Sequence, residues 1–178
     1  METGKVIAAV RSDNEFINAA QSKVNIIFYL APNILSLEQK VKFAHTKGKK
    51  VFIHLDLAEG IGKDKSGILY AKSLGVDGII STRSSIIKSA HEEKLFTVQR
   101  FFTMDSKSIS VAVESIKSSK ADMVEIMPGV IGKTIKNLKE NISVPVIAGG
   151  LIESPAEAEI AFSAGAKAIS TGNRDLWG

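Results

Sequence analysis

Eight short stretches rich in valine and isoleucine recur along the chain at near-regular spacing: 6–10 (VIAAV), 25–30 (NIIFYL), 51–56 (VFIHLD), 77–81 (DGIIS), 96–102 (FTVQRFF), 123–127 (MVEIM), 144–149 (VPVIAG) and 168–171 (AIST). Each has the length and β-branched content of a strand covered on both faces, and such strands belong to parallel sheets joined by crossover helices. The intervening segments supply those helices. Ser12 or Asp13, Ser36, Asp64 and the pair Ser154-Pro155 stand where helices should start, and Gly48, Gly75 and Gly165 where they should stop. Eight βα units predict an α/β fold, a small TIM-type (β/α)8 barrel. Dividing 178 residues by eight leaves about 22 per unit, and nothing after Thr171 is long enough for a full eighth helix, so the final helix is expected to be reduced or missing. That shortage makes an open doubly wound sheet the alternative. No linker or low-complexity tract interrupts the pattern, and residues 1–178 read as one barrel domain.

Composition narrows the chemistry. With no cysteine, the fold cannot rest on disulfides or thiolate metal sites, and no thiol nucleophile is available. The leading METGKVIAAV has too short an apolar run for a signal-peptide core, and nowhere do eighteen apolar residues run together, which predicts a cytoplasmic protein without a membrane partner. Net charge is +4, and residues 36–50 alone carry five lysines against one acid. The remainder sums to zero, with 153–175 on the acidic side. This concentration gives Lys40, Lys42, Lys47, Lys49 and Lys50 as candidate contacts for a nucleic-acid backbone, the alternative being the solvated face of an amphipathic helix.

In a parallel barrel, ligands bind where the strands end, so the polar residues that finish each stretch are the informative ones. They include Arg11, Pro32-Asn33, His54, Asp56, Glu59, the run Ser81 to Ser84 with Arg83, Gln99, Arg100, Glu125, Gly129, the pair Gly149-Gly150, and Thr171, Gly172 and Asn173. The last two strand ends, VIAGGLIES and ISTGN, bear glycine where this fold commonly holds phosphate, because glycine lets backbone N–H groups approach the anion. Gly149, Gly150, Thr171, Gly172 and Asn173 are the candidate phosphate site, and tight turns are the other use for those glycines. His54 and Asp56 lie two apart and are expected to share one strand face. Together with Glu125 they could form an acid–base set, ligate a divalent cation, hold substrate hydroxyls, or neutralise Arg83 and Arg100. Arg83 and Arg100 suit a bidentate anion contact or a structural ion pair equally. The strand interiors lack a lysine, which disfavours a Schiff-base aldolase. No motif requires a cofactor or a resident metal, and the loop 57–67, with three glycines, is a candidate lid. Trp177 is expected to pack the chain end against the barrel.

The strings GKKVFIHLDLAEG, DGIISTRSSIIKSA, VQRFFTMDS, VEIMPGVI, PVIAGGLI and TGNRDLW together resemble the glycerol uptake operon antiterminator proteins, and the resemblance covers essentially the whole chain. It implies a barrel-like sensor of glycerol 3-phosphate that acts on leader mRNA of glycerol-utilisation genes, preventing premature transcription termination. Arg11, His54, Asp56, Arg83, Arg100, Glu125, Gly129, Gly149 and Gly150 fall on matching motifs. The chain departs from the family pattern at Gly172, where the family carries Ser, and at Glu59, where it carries Gln. The resemblance implies a regulator binding glycerol 3-phosphate or a similar small anion and leader mRNA, with room for a homo-oligomer. A small barrel enzyme acting on a phosphorylated metabolite, an isomerase or a glycerophosphodiester hydrolase, is the competing expectation.

Overall fold

The structure is a computed structural model that describes residues 5–103 and 106–178. The leading Met-Glu-Thr-Gly and the Met104-Asp105 step of the VQRFFTMDS string lie outside the described residues. Eight parallel strands pair in chain order: β1 (Lys5–Val10), β2 (Ile26–Tyr29), β3 (Lys50–His54), β4 (Gly78–Ser81), β5 (Phe96–Phe102), β6 (Met123–Met127), β7 (Val146–Gly149) and β8 (Ala168–Thr171). The sheet closes when Ala8 of β1 pairs with Thr171 of β8, so the open-sheet alternative is overturned. Helices follow the first seven strands: α1 (Asp13–Gln21), α2 (Leu37–Thr46), α3 (Lys65–Ser73), α4 (Ser84–Glu92), α5 (Ser106–Ser119), α6 (Gly132–Asn141) and α7 (Pro155–Ser163).

Local signals fix the helix boundaries. Ser12 and Glu15 form a reciprocal capping box at α1, Asp64 accepts the Gly67 N–H at α3, and Ser154 accepts the Glu157 N–H with Pro155 in the first turn of α7. Ser36 differs. Its side chain makes no cap, and its hydroxyl instead meets the Lys40 Nζ at 2.6 Å. Gly48, Gly75 and Gly165 take positive φ just beyond α2, α3 and α7, where a side chain would be strained.

Strand alternation sorts residues between two cores. Ile7, Phe28, Phe52, Ile80, Val98, Ile147 and Ala168 fill the barrel interior, and their neighbours in sequence face the helices. Above this apolar plug the inward positions turn polar, with His54, Arg100, Glu125 and Ser170 all buried. Among the described residues no α-helix follows β8. A single 3-10 turn, Arg174–Leu176, takes its place, and Trp177 is buried in the same cluster as Phe16, Ala20 and Val24 while its Nε1 donates to the Thr171 carbonyl at 3.0 Å. Among the described residues, no helix is long and apolar enough to cross a membrane.

Three details differ from the sequence expectation. β3 ends at His54, so Asp56 sits in a 3-10 turn (Leu55–Leu57) and does not share a strand face with it. Gln99 points away from the rim: its amide bonds Ser115 and Ser119 of α5, because Arg100 takes the inward position. The candidate lid is tied down at one end by its neighbours. Asn33 donates to Glu59 at 2.8 Å, backbone bonds join Pro32 and Ile34 to Glu59, and Ile61 is buried.

Candidate functional site

The strand C-termini surround a cavity of about 550 Å³, lined by Arg11, Arg100, Glu125 and Ser170 together with the loop segments 150–153 and 171–173. Its floor is a charged pair. Arg100 and Glu125 are direct partners in the β5–β6 register, and the Arg100 Nε donates to Glu125 Oε2 at 2.6 Å. The two residues are 5% and 0% exposed, so each charge depends on the other for the solvation it has lost. Ser170 Oγ donates to the second oxygen, Glu125 Oε1. Gly149 makes this contact possible: a Cβ there would lie 2.4 Å from Glu125 Oε1 and 2.7 Å from Ser170 Oγ. Gly149 therefore lies beneath the cavity as the gap that the carboxylate fills, whereas Gly150 and Gly172 line the cavity itself.

The two glycine-bearing loops brace one another. Thr171 Oγ1 donates to the Ile152 carbonyl at 2.7 Å and accepts the Asn173 N–H, and Asn173 Nδ2 donates to the Glu153 carbonyl at 2.7 Å. These side chains hold the loops in shape, and Gly150, Leu151 and Gly172 of the same loops line the cavity. Gly129 supports the loops from below, its N–H donating to the Gly149 carbonyl at 2.6 Å. Arg11, exposed just past the end of β1, the strand paired with β8, lines the same cavity; among the described residues no carboxylate lies within ion-pairing distance of its guanidinium.

A second polar cluster occupies the β3 and β4 ends. Asp56 accepts the Ser81 hydroxyl at 2.7 Å, the Thr82 N–H at 2.8 Å and the Thr82 hydroxyl at 2.9 Å, with Arg83 Nε 3.8 Å away. Burial alone would raise its pKa, but the three hydrogen bonds outweigh that and hold the carboxyl below its ordinary value. Its neighbour His54 is 4% exposed, its Nε2 lies 4.0 Å from Asp56, and neither ring nitrogen has a hydrogen-bond partner among the described residues. Burial first, and the Arg100 charge second, push the imidazole down to about 4, so it is neutral at physiological pH.

The sequence-predicted residues therefore separate into groups. Arg11, Arg100, Glu125, Gly150, Thr171, Gly172 and Asn173 line one cavity; His54, Asp56 and Arg83 form the adjoining cluster; Gly129 and Gly149 pack underneath. Among the described residues, no three His, Asp or Glu side chains converge as a metal-binding group, because Glu125 is turned toward Arg100 and Ser170. Ser170 was missed by sequence reasoning. Strand alternation could have found it, since Ala168 two residues earlier faces the barrel interior.

The lysines of segment 36–50 also divide. Lys40 is half-buried, with its ammonium 2.8 Å from Asp13 and over the Tyr29 ring, and Lys42 pairs with Glu38 at 2.6 Å, both on α2. Lys47, Lys49 and Lys50 lie past its C-terminus at the opposite end of the barrel from the cavity, where Lys49 donates to the Ser22 carbonyl.

Fold and site define a small (β/α)8 barrel with a polar, arginine-bearing mouth built on the β7 and β8 loops. The sequence matches the family described as glycerol-3-phosphate responsive antiterminator over residues 6–177, and the chain belongs to that family. It is 37% identical over 173 residues to an uncharacterized Escherichia coli K12 protein, YgcP, covering 97% of this chain and 91% of that one. Among solved structures it is similar to the glycerol uptake operon antiterminator regulatory protein from Listeria monocytogenes (TM-score 0.92, 32% identity, 97% and 94% of the two chains). A glycerol uptake operon antiterminator-related protein from Thermotoga maritima is also similar (TM-score 0.87, 32% identity, 98% and 99% coverage). Barrels at 16% identity or below, including a deoxyribose phosphate aldolase from Aeropyrum pernix, share the fold.

Proposed function

We propose that this protein is a regulator that binds glycerol 3-phosphate at the barrel mouth and, in response, acts on leader mRNA of glycerol-utilisation genes to prevent premature transcription termination. The observation that carries this reading is a cavity of about 550 Å³ at the strand ends that is lined by Arg11, whose guanidinium has no carboxylate partner among the described residues, together with Gly150 and Gly172 of the β7 and β8 loops. A guanidinium and glycine-bearing backbone suit a phosphate, and the Glu125–Arg100–Ser170 group beneath suits the hydroxyls of a short polyol. Family membership supports the same ligand and the regulatory role. A cytoplasmic setting goes with it. Regulation requires the ligand to bind the RNA-competent state more tightly than the other, because equal affinity shifts no equilibrium.

Calorimetric titration with glycerol 3-phosphate, glycerol and inorganic phosphate tests the ligand. Wild type should bind glycerol 3-phosphate most tightly, and Arg11→Ala should weaken it about 10- to 100-fold, the value of one charge-assisted contact. Arg11 is exposed, so the variant should keep its thermal stability. Equal binding by wild type and variant would remove Arg11 from the site. Turnover of a triose phosphate or a glycerophosphodiester, lost in Glu125→Gln, would establish an enzyme instead.

A further inference from the structure

We infer that single-stranded RNA binds the base of the barrel, the end opposite the mouth. The inference rests on the regulatory reading above and assigns its RNA surface. A second cavity, of about 710 Å³, opens there; Ile7, Ile26 and Met123 lie at its floor, and Lys5, Lys23 and Lys167 stand along its exposed edge. Phe96, 41% exposed, forms part of its wall. Lys50, the strand partner of Ile26, and Lys94, two residues before Phe96, add exposed positive charge around it.

This arrangement follows from topology. In a parallel barrel every helix returns to the same end, so each αβ turn and strand start contributes there, and in this chain those positions repeatedly hold lysine. One carboxylate, Asp122, which accepts the Thr97 N–H, lines this cavity, and it is outnumbered there by Lys5, Lys23 and Lys167. At the mouth the balance is different, because Arg83 and Arg100 stand beside Asp56 and Glu125, which leaves Arg11 as a single cation without a carboxylate partner among the described residues. A polyanion is therefore drawn to the base and a small anion to the mouth. An apolar concavity with an aromatic wall between cations accepts unpaired bases, whereas a duplex keeps its bases stacked inside.

The two ends are also physically joined. Gly172 and Asn173 line the mouth cavity, and Leu176, Trp177 and Gly178 line the basal one, so the short segment that replaces an eighth helix borders both. A ligand held against its first residues presses on the wall of the second site.

The test compares two triple variants that lose the same charge. One replaces Lys5, Lys23 and Lys167 with Gln, and the other replaces Lys65, Lys88 and Lys136 with Gln, which lie on helices α3, α4 and α6. Binding of a glycerol-utilisation leader transcript and of labelled oligouridine is measured against salt, with duplex RNA as competitor and glycerol 3-phosphate titration as the fold control. The basal variant should lose at least about tenfold in affinity, and its log K versus log salt slope should fall by about 2, near 0.7 per lost single-strand contact. The helix variant should stay close to wild type, and Phe96→Ala should weaken oligouridine without changing the salt slope. Equal losses in both triples would reduce the effect to net charge and overturn the basal assignment, as would competition by duplex on a par with single strand. Wild type that binds no RNA at low salt would refute the regulatory reading and the inference together; wild type that binds while the basal variant matches it refutes the inference alone.

Discussion

Acid should loosen this protein through His54 well before its carboxylates protonate. In the folded state the imidazole is buried without a hydrogen-bond partner among the described residues, and burial together with the Arg100 charge holds its pKa near 4. In the unfolded chain the same group titrates near 6.5. The folded pKa is depressed, so between the two values the unfolded state binds more protons and stability rises with pH. The neutral imidazole costs nothing above about pH 7, and the penalty grows as pH falls toward 4. At pH 5 the two pKa values give a difference of about 2 kcal/mol, a large part of the ~5–15 kcal/mol that holds a typical domain together. The depressed carboxyls of Asp13, Glu15 and Asp56 act below this window, since their ordinary values are already near or under 4.5. Urea unfolding of wild type and His54→Leu at pH 7, 6 and 5 measures the effect. The stability difference between the two should move in favour of the leucine variant by about 2 kcal/mol from pH 7 to pH 5. A difference that stays constant within a few tenths of a kcal/mol, or an NMR titration placing His54 near 6.5, would refute the reasoning.

Other perturbations test the packing beneath the mouth. Arg100→Ala leaves the Glu125 carboxylate buried without its cation and should cost about 3–5 kcal/mol in urea unfolding, whereas restoring neutrality with Glu125→Gln in the same chain should recover part of it. Gly149→Ala introduces a methyl into the space of Glu125 Oε1 and Ser170 Oγ; a lowered melting temperature equivalent to about 1–3 kcal/mol is expected, with weaker glycerol 3-phosphate binding. Trp177→Ala should destabilise by roughly 3–5 kcal/mol, because Trp177 is buried in the cluster with Phe16, Ala20 and Val24.

Periodicity carried the architecture: eight β-branched runs and their helix caps are local patterns, written in neighbouring residues, and they place the strands to within two residues at either end. The short spacing per unit also foretold the missing eighth helix. Much of the mouth was legible too, because in a parallel barrel the residues that end strands must gather at one rim, and Arg11, Arg100, Glu125, Gly150 and Gly172 do. What the sequence could not reveal is which of them touch. Only strand register sets Arg100 beside Glu125, brings Ser170 to the other carboxylate oxygen and turns Gly149 into the space they occupy. The same holds for charge. Lysines 5, 23, 94 and 167 are scattered along the chain and invisible as a cluster, whereas the conspicuous run 36–50 divides between a helix face and the base. Hydrophobic periodicity is a property of segments and survives in the sequence, but ion pairs, close contacts and a basic face depend on distances between segments, and those exist only once the barrel has closed.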